Sequence, residues 1–334
     1  MSGKLKVAIA GCGGIGNWHL SRIKDFEDIE LVGFYDIISS KAEQMVVTAG
    51  NKGKAFDCYI KMLDEAKPDV IYIGVPPDQH GMLELEAIKR GIHMLVQKPI
   101  ANDIAVAEKV CDKITQHNII TSVGFQDRYM DIIDPMKEFL DGREIGLISG
   151  AWVGGIPGVF WWRRRSMSGG QIVEQNIHLF DMLRYLIGEP LSLYTAAGKG
   201  IVKPFSTNLT GYDVEDYTST VVTFRNGSIA NLFTGDYVTE GGGMKLGLTF
   251  YAKNATVDYV LRNKVSLIID GEVKKEVIKQ EDQGMALDRV FIDAVKSGDP
   301  SKIRSPYFDG IKSLKFALAT NTSIDTGKAV YLNL

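Results

Sequence analysis

The chain has 334 residues, 45% hydrophobic and 24% charged, which is ordinary globular usage and argues against a wholly disordered protein. Its 38 basic and 41 acidic side chains leave a net charge of −3, so no basic stripe is available to neutralise the phosphates of a nucleic acid. No apolar run reaches the ~18–20 residues that span a bilayer, so neither nucleic acid nor membrane is an expected partner. Three scattered cysteines, Cys12, Cys58 and Cys111, form neither a disulfide framework nor a zinc-type spacing. No signal-peptide pattern precedes the first strand-like segment, and a reducing, cytoplasmic location is expected.

The first ~125 residues alternate between strand-like and helix-like periods. Leu5–Ala10 reads as a short buried strand, followed by a glycine turn and an amphipathic stretch through Phe26. Ile29–Tyr35 is a second strand and Lys41–Ala49 a helix. Asp69–Val75 is a third clear strand, ended by Pro76-Pro77, which cannot continue a ladder. Gln79–Arg90 reads as a helix closed by Gly91, His93–Val96 as a strand, Ile104–Thr115 as a helix and Ile119–Phe125 as a strand. Continuous Val/Ile runs between helices fit a parallel sheet covered on both faces, an α/β arrangement.

From about Gly146 the texture changes to strands and hairpin turns. Asn226-Gly227 and Asp270-Gly271, each between strand-like runs, predict two-residue type I′ turns and an antiparallel sheet. A helix is expected at about Glu174–Ile187, another at about Met285–Lys296, and a last one from Ser305-Pro306, with Ser as N-cap and Pro at N1.

Gly11-Cys12-Gly13-Gly14-Ile15-Gly16 fits G-x-G-x-x-G with a strand before it and a helix opening from it. The three motif glycines serve the tight turn, the approach of backbone to a pyrophosphate, and close helix packing, and the helix N-terminus offers N–H groups to the phosphates. Asp36 ends the second strand 20 residues after Gly16, where a carboxylate accepts the adenosine-ribose hydroxyls. The competing reading is that Asp36 only caps the next helix. A carboxylate repels a 2′-phosphate, and Ile37-Ile38-Ser39-Ser40 supplies no arginine to clamp one, so NAD is expected over NADP.

Ligands of open α/β sheets sit at the carboxyl ends of the strands. Three such ends are polar or rich in glycine and proline: Val75-Pro76-Pro77-Asp78-Gln79-His80, Val96-Gln97-Lys98-Pro99 and Gly124-Phe125-Gln126-Asp127-Arg128. Position alone leaves Lys98 equally a solvated lysine and a group that transfers a proton beside a nicotinamide.

With these residues in place the chain resembles, over essentially its whole length, the glucose–fructose oxidoreductase/inositol dehydrogenase/rhizopine-catabolism (Gfo/Idh/MocA) family. Gly11–Gly16 is similar to its dinucleotide turn, Val75–His80 to its (T/V)-P-x-x-x-H segment, and Gln97-Lys98-Pro99 to its E-K-P motif. Ser168-Gly169-Gly170-Gln171 through Glu174 and His178 resembles its glycine-rich entry to a helix carrying D-x-x-x-H. Two positions depart: Gln97 replaces the Glu, near the nicotinamide in the family, and Glu174 replaces the Asp.

The resemblance implies an N-terminal NAD-binding Rossmann domain of residues 1–123 and a substrate-binding and oligomerisation α/β domain of residues 124–334 with an open-faced, mostly antiparallel sheet. The active site would lie in the cleft between them. The implied cofactor contacts are Gly11, Gly13, Gly14, Ile15, Gly16, Asp36, Ile37, Pro76, Pro77, His80, Gln97, Lys98 and Gln126. The implied catalytic set is Lys98 and His178, oriented by Glu174 and Asp181. At ~100° per residue Glu174, His178, Asp181 and Tyr185 fall on one helical stripe, and a carboxylate at i+3 can hold the imidazole in one tautomer. One histidine and two carboxylates could also hold a metal, but the family implies metal-free chemistry. Phe160-Trp161-Trp162-Arg163-Arg164-Arg165 suits a polyhydroxylated substrate, with Trp162 and Arg163 as contacts, although a surface loop or subunit contact is the alternative. Arg128 matches a family position at the domain junction, where binding a substrate anion and anchoring a hinge are both open.

The implied activity is hydride transfer between a carbinol carbon of a sugar, cyclic polyol or sugar derivative and nicotinamide, in a homodimer or homotetramer. Three alternatives stand beside it: an NAD-dependent glycosidase using transient oxidation, a non-catalytic sugar- or dinucleotide-sensing regulator, and a dehydrogenase-like subunit without turnover.

Overall fold

The computed structural model describes residues 3–156, 158–202, 211–238 and 242–334. The chain divides into two compact units, residues 1–129 with 282–311, and residues 130–281 with 312–334. In the first, strands and helices alternate: β1 (Leu5–Ala10), α1 (Gly14–Ile23), β2 (Ile29–Tyr35), α2 (Ser39–Thr48), β3 (Lys54–Phe56), α3 (Tyr59–Ala66), β4 (Val70–Ile73), α4 (Met82–Ile88), β5 (His93–Val96), α5 (Ile104–His117) and β6 (Thr121–Val123). All pairings are parallel, in the order β3-β2-β1-β4-β5-β6, the doubly wound Rossmann arrangement. β1 and β4 are buried along almost their whole length, as a sheet covered on both faces requires.

Several expectations are corrected here. The clear strand ending before Pro76 is the fourth, because Lys54–Phe56 pairs with β2 and Tyr59–Ala66 is helical. A three-residue strand is too short to carry a periodic signal. The helix expected at Gln79–Arg90 is interrupted: a single 3₁₀ turn covers Pro77–Gln79, and Gly81, at φ +107°, precedes α4. The strand expected at Ile119–Phe125 is shorter, and Gln126–Tyr129 is another 3₁₀ turn.

The second unit begins with α6 (Ile133–Leu140), β7 (Ile145–Val153), α7 (Arg165–Ser168) and α8 (Ile177–Ile187). Among the described residues seven strands follow: β8 (Pro190–Gly198), β9 (Tyr217–Phe224), β10 (Ile229–Gly235), β11 (Gly247–Ala252), β12 (Ala255–Val260), β13 (Lys264–Ile269) and β14 (Glu272–Ile278). The chain ends with α9 (Gln283–Ser297), α10 (Tyr307–Thr326) and β15 (Val330–Tyr331). The sheet order is β14-β13-β12-β11-β7-β10-β9-β8-β15, antiparallel except for the β7–β10 pair. One face buries Ile148, Val222, Leu232, Phe250 and Val257 against Leu179, Phe180, Leu183 and Phe316 of the helices. The alternate residues, including Leu147, Tyr194, Val221, Ile229 and Tyr251, are exposed.

The two hairpin turns differ. Asp270 and Gly271 both have positive φ, +55° and +78°, as the expected type I′ turn needs. At Asn226-Gly227 only Gly227 does, at +89°, and the bonds Gly227 N–H to Phe224 C=O and Phe224 N–H to Ser228 C=O close a longer loop. That is the three-residue hairpin with the glycine in a bulge, not the two-residue turn.

Beside the division at 123/124, the last helices are expected to return toward the first domain, and α9 lies in the first unit. Asp282 caps α9 and is gripped through both oxygens by Arg22 of α1. Asp28 accepts from Arg289 and Lys296. Leu287, Phe291, Ile292 and Val295 join the core of Leu20, Ile23, Ile29 and Leu31. Residues 282–311 therefore complete the core of the first unit. Ser305 does not cap α10 as expected, because its hydroxyl donates to the Val123 carbonyl at the end of β6.

Candidate active site

The glycine turn shows a distinct demand at each motif position. Gly11 has φ +91°, and a Cβ there would collide with the Gly74 carbonyl. A Cβ on Gly16 would collide with the carbonyl of Gly11, so the helix start packs directly on the turn. Around Gly13 nothing lies within 4 Å of where a Cβ would be, which leaves the backbone open to a pyrophosphate. Asn17 Nδ2 donates to the carbonyls of Cys12 and Gly13 at 3.0 and 2.9 Å and holds the turn closed, a role with no sequence signal.

Asp36 accepts from Cys12 N–H at 2.8 Å and from Ile38 N–H at 2.9 Å, one bond to each carboxylate oxygen. Each oxygen keeps a lone pair for a ribose hydroxyl. The residue that caps α2 is Ile38, with no side-chain bond, so helix capping is not what Asp36 does. Ile37 beside it is 85% exposed. Cys12 points inward, its Sγ 3.4 Å from the Tyr35 carbonyl. Burial, with Asp36 adding to it, pushes its thiol up to about 12, so it stays protonated and unreactive. These residues fit NAD: an open backbone at a helix N-terminus and a carboxylate at the ribose position.

At the other strand ends, Pro76 and Pro77 enter the single turn before His80. His80 Nδ1 lies 2.5 Å from Glu84 Oε1, and the other Glu84 oxygen accepts from Gly81 N–H at 2.6 Å. This buried i,i+4 pair fixes the ring, leaving Nε2 as the nitrogen away from the carboxylate. Gln97 is buried and bonded to His19, and Lys98, next in the chain, is half-buried and joined to Pro99 by a cis peptide. Gln126 is buried in the turn after β6. Arg128 is 2% exposed and bonds the Arg304 carbonyl and Asp309 carboxylate, each at 2.6 Å. Of its two open roles these contacts are those of an anchor inside the first unit.

In the second unit, Gly169 and Gly170 take positive φ and lead into Ile172–Asn176, a π-helical turn, before α8 begins. The continuous α-helix expected from Glu174 is thus corrected. His178, Asp181 and Tyr185 share an α-helical register, while Glu174 sits on the wider turn before it, the kind of irregularity that marks functional sites. Glu174, His178 and Asp181 are all buried. The His178 ring stacks on Trp152 of β7, with centroids 6.0 Å apart and planes 26° from parallel. Arg262 lies 5.3 Å from the centre of the same indole. Trp152 was missed from the sequence, where a strand tryptophan reads as core. Asp181 Oδ1 accepts from Ser313 Oγ at 2.5 Å, and Ser313 in turn accepts from Arg184.

A second buried cluster backs this helix. Gln171 Nε2 donates to Asp236 at 3.1 Å, and Thr234 donates to Gln171 Oε1 at 2.9 Å. Burial, with Asp216 adding to it, pushes the Asp236 carboxyl up to about 7 against the opposing bond from Gln171. Trp162 and Arg163 lie half-buried in one turn, with the Trp161 and Trp162 rings stacked at 6.0 Å. Arg165 is held by Asp325 and Glu215. Among the described residues no three His, Cys, Asp or Glu side chains are grouped to hold a metal ion, and no helix is long and apolar enough to cross a membrane.

Residues 5–125 match the NAD-binding Rossmann fold of the oxidoreductase family, and residues 136–257 match the GFO/IDH/MocA C-terminal domain. The chain belongs to the Gfo/Idh/MocA oxidoreductase family. Glucose-6-phosphate 3-dehydrogenase of Bacillus subtilis is 27% identical, over 69% of this chain and 67% of that protein. Myo-inositol 2-dehydrogenase of Thermotoga maritima is 22% identical over 98% of both. The solved WlbA dehydrogenase of Bordetella pertussis, in complex with NADH and UDP-GlcNAcA, shares the fold at TM-score 0.83, with 18% identity and 99% of each chain covered. Like the family, this chain is an enzyme, an oxidoreductase whose first unit binds NAD.

Proposed function

We propose that the enzyme transfers hydride between a carbinol carbon of a sugar, cyclic polyol or sugar derivative and the nicotinamide. The observation that carries this reading is a dinucleotide turn in the same chain as a buried histidine stacked on an indole, His178 on Trp152. The relatives named above act on a sugar phosphate and an inositol, which supports a substrate with many hydroxyls.

In this reading His178 takes the proton of the substrate hydroxyl, and the Lys98 ammonium bonds the oxygen as it becomes an alkoxide. As the C–H bond breaks, the alkoxide collapses to a carbonyl. When bound, NAD supplies the acceptor for the hydride. In the reverse direction the same two groups return the proton. Asp181, through its bond with Ser313, and Glu174 on the π turn position the helix that carries His178. Trp162 offers a flat face and Arg163 a guanidinium fork to the substrate, while Arg128 is left as an anchor. Pro76, Pro77, His80, Gln97 and Gln126 frame the cofactor at the strand ends. The exposed sheet face that includes Leu147, Val221, Ile229 and Tyr251 is proposed as the contact between copies in a homodimer or homotetramer, measurable by sedimentation.

The test is a panel of polyols, sugars and nucleotide sugars followed by NADH absorbance. A substrate that reduces NAD stoichiometrically supports the reading. Glycoside hydrolysis without net NADH replaces it with the transient-oxidation mechanism, and NAD binding with no turnover on any member of the panel refutes it.

A further inference from the structure

At the carboxyl end of β5 the Gln97 side chain is buried against the Cα of Gly124, which follows β6, and a Cβ on Gly124 would run into the carboxamide. Gln97 Nε2 lies 2.6 Å from His19 Nε2, and His19 Nδ1 lies 2.7 Å from Asp288 Oδ1. His19 and Asp288 side chains are 1% and 0% exposed. The imidazole is further fixed by Trp18 and Tyr72, with ring centroids 4.9 and 5.0 Å away. None of this contact set is local: it joins β5, α1 and α9.

With Gln97 Nε2 facing the ring and Asp288 as a carboxylate, the proton arrangement follows. A carboxamide nitrogen only donates, so His19 Nε2 holds a lone pair. The ring proton is then on Nδ1 and is donated to the Asp288 carboxylate. Asp288 thus sets the tautomer of His19, and the tautomer sets which end of the Gln97 amide faces it. The amide oxygen is turned away, toward Gly124 and the carboxyl ends of β5 and β6. Those ends belong to the second mononucleotide half of the sheet, where the nicotinamide half of a dinucleotide is bound.

We propose that His19 and Asp288 are positioning residues that present the Gln97 carboxamide oxygen, as an uncharged acceptor, to a donor on the nicotinamide half of NAD, its carboxamide N–H or a ribose hydroxyl. Glutamine at this place then has a reason. A carboxylate there would flank the imidazole with two anions and put a charge where this chain has a neutral dipole. The returning segment 282–311 also gains a function beyond packing, because it supplies Asp288. The inference uses NAD binding by the first unit and does not depend on the identity of the substrate.

The experiment titrates NADH and ADP-ribose, which lacks nicotinamide, into the full chain and into Asp288→Asn, Gln97→Met and the double variant. In Asp288→Asn the new amide can donate to Nδ1, which moves the ring proton to Nε2 and turns the Gln97 amide round. Each single variant is expected to weaken NADH about tenfold, the value of one lost hydrogen bond to a ligand, with ADP-ribose changed less than about twofold. The double variant should be no weaker than either single one, because the residues act as one unit. Nitrogen-15 shifts of His19 should report the Nδ1–H tautomer in the wild type and Nε2–H in Asp288→Asn. An unchanged ratio of NADH to ADP-ribose affinity, additive losses in the double variant, or an Nε2–H tautomer in the wild type would each overturn the proposal. If Asp288→Asn does not fold, the affinity ratio of Gln97→Met decides it.

Discussion

The phosphate turn of the first unit and the histidine helix of the second are built from opposite materials. Around Gly11–Gly16 the working parts are main-chain N–H groups, and the neighbours that shape them lie within a few dozen residues: Asp36, Tyr35 and Gly74. Around His178 the working parts are side chains, and their supports come from separate elements up to 132 residues away: Trp152 on β7, Asp236 after β10, Ser313 on α10. A backbone site tolerates almost any side chain that does not occupy its space, and it is broken by adding atoms. A side-chain site is broken by removing them.

Four substitutions sharpen or break that contrast. The largest effect is expected from Lys98→Ala, which should lower turnover by about 10²- to 10⁴-fold, the range for a lost general acid or base, while NAD titration remains near wild type. Near-normal rates would take Lys98 out of the chemistry.

The next is a stability effect at Asp236. Its carboxyl, raised to about 7 in the folded state from a usual 3.8, binds a proton that the unfolded chain has already lost. The native state therefore holds the extra proton, and stability falls as pH rises from about 4 through 7. At about 1.4 kcal/mol per unit this reaches roughly 4 kcal/mol. Asp236→Asn keeps the shape and the acceptor for Gln171 but does not titrate. It should melt well above wild type at pH 8, with the gap closing toward pH 5; parallel curves across that range would show that Asp236 is ionised throughout.

Asp36→Ala is expected to weaken NAD by about tenfold, the loss of charge-assisted bonds to ribose hydroxyls, and NADP much less. If both weaken equally, Asp36 serves only the turn through Cys12 and Ile38. The smallest effect is at Trp152→Ala. Loss of the stacked indole should lower kcat several-fold and shift its pH profile, with NAD affinity unchanged, since one ring contact amounts to about 1 kcal/mol. An unaltered pH profile would mean that the stack is packing alone.

The same contrast explains what was legible in the sequence. Gly11, Gly13, Gly16 and Asp36 were readable because backbone conformation is written locally, one glycine per geometric demand. The parallel strands were readable from their apolar runs, and Asp270-Gly271 from its turn chemistry. Asn226-Gly227 misled because the same dipeptide serves a bulged loop as well as a two-residue turn, and loop length is set by the register of β9 and β10 rather than by the pair itself. Trp152, Asp236 and Ser313 were illegible because nothing at their own positions records which distant helix they support. The π turn at Ile172–Asn176 was equally hidden, since an inserted residue leaves the apolar pattern on either side intact.

One feature of the fold bears on how the chain is made. The core that holds Leu20, Ile23 and Leu31 also needs Leu287, Phe291 and Val295. A ribosome releases the first 129 residues long before those three. The nucleotide-binding unit therefore spends much of the synthesis of the chain with the apolar side of α1 uncovered, and with Asp288 and Asp282, the carboxylates that His19 and Arg22 bond, still to come. It closes only after β7 to β14 of the second sheet have been extruded. A fragment ending at residue 123 would stop at that unfinished stage, and holding such an intermediate soluble is work for a chaperone.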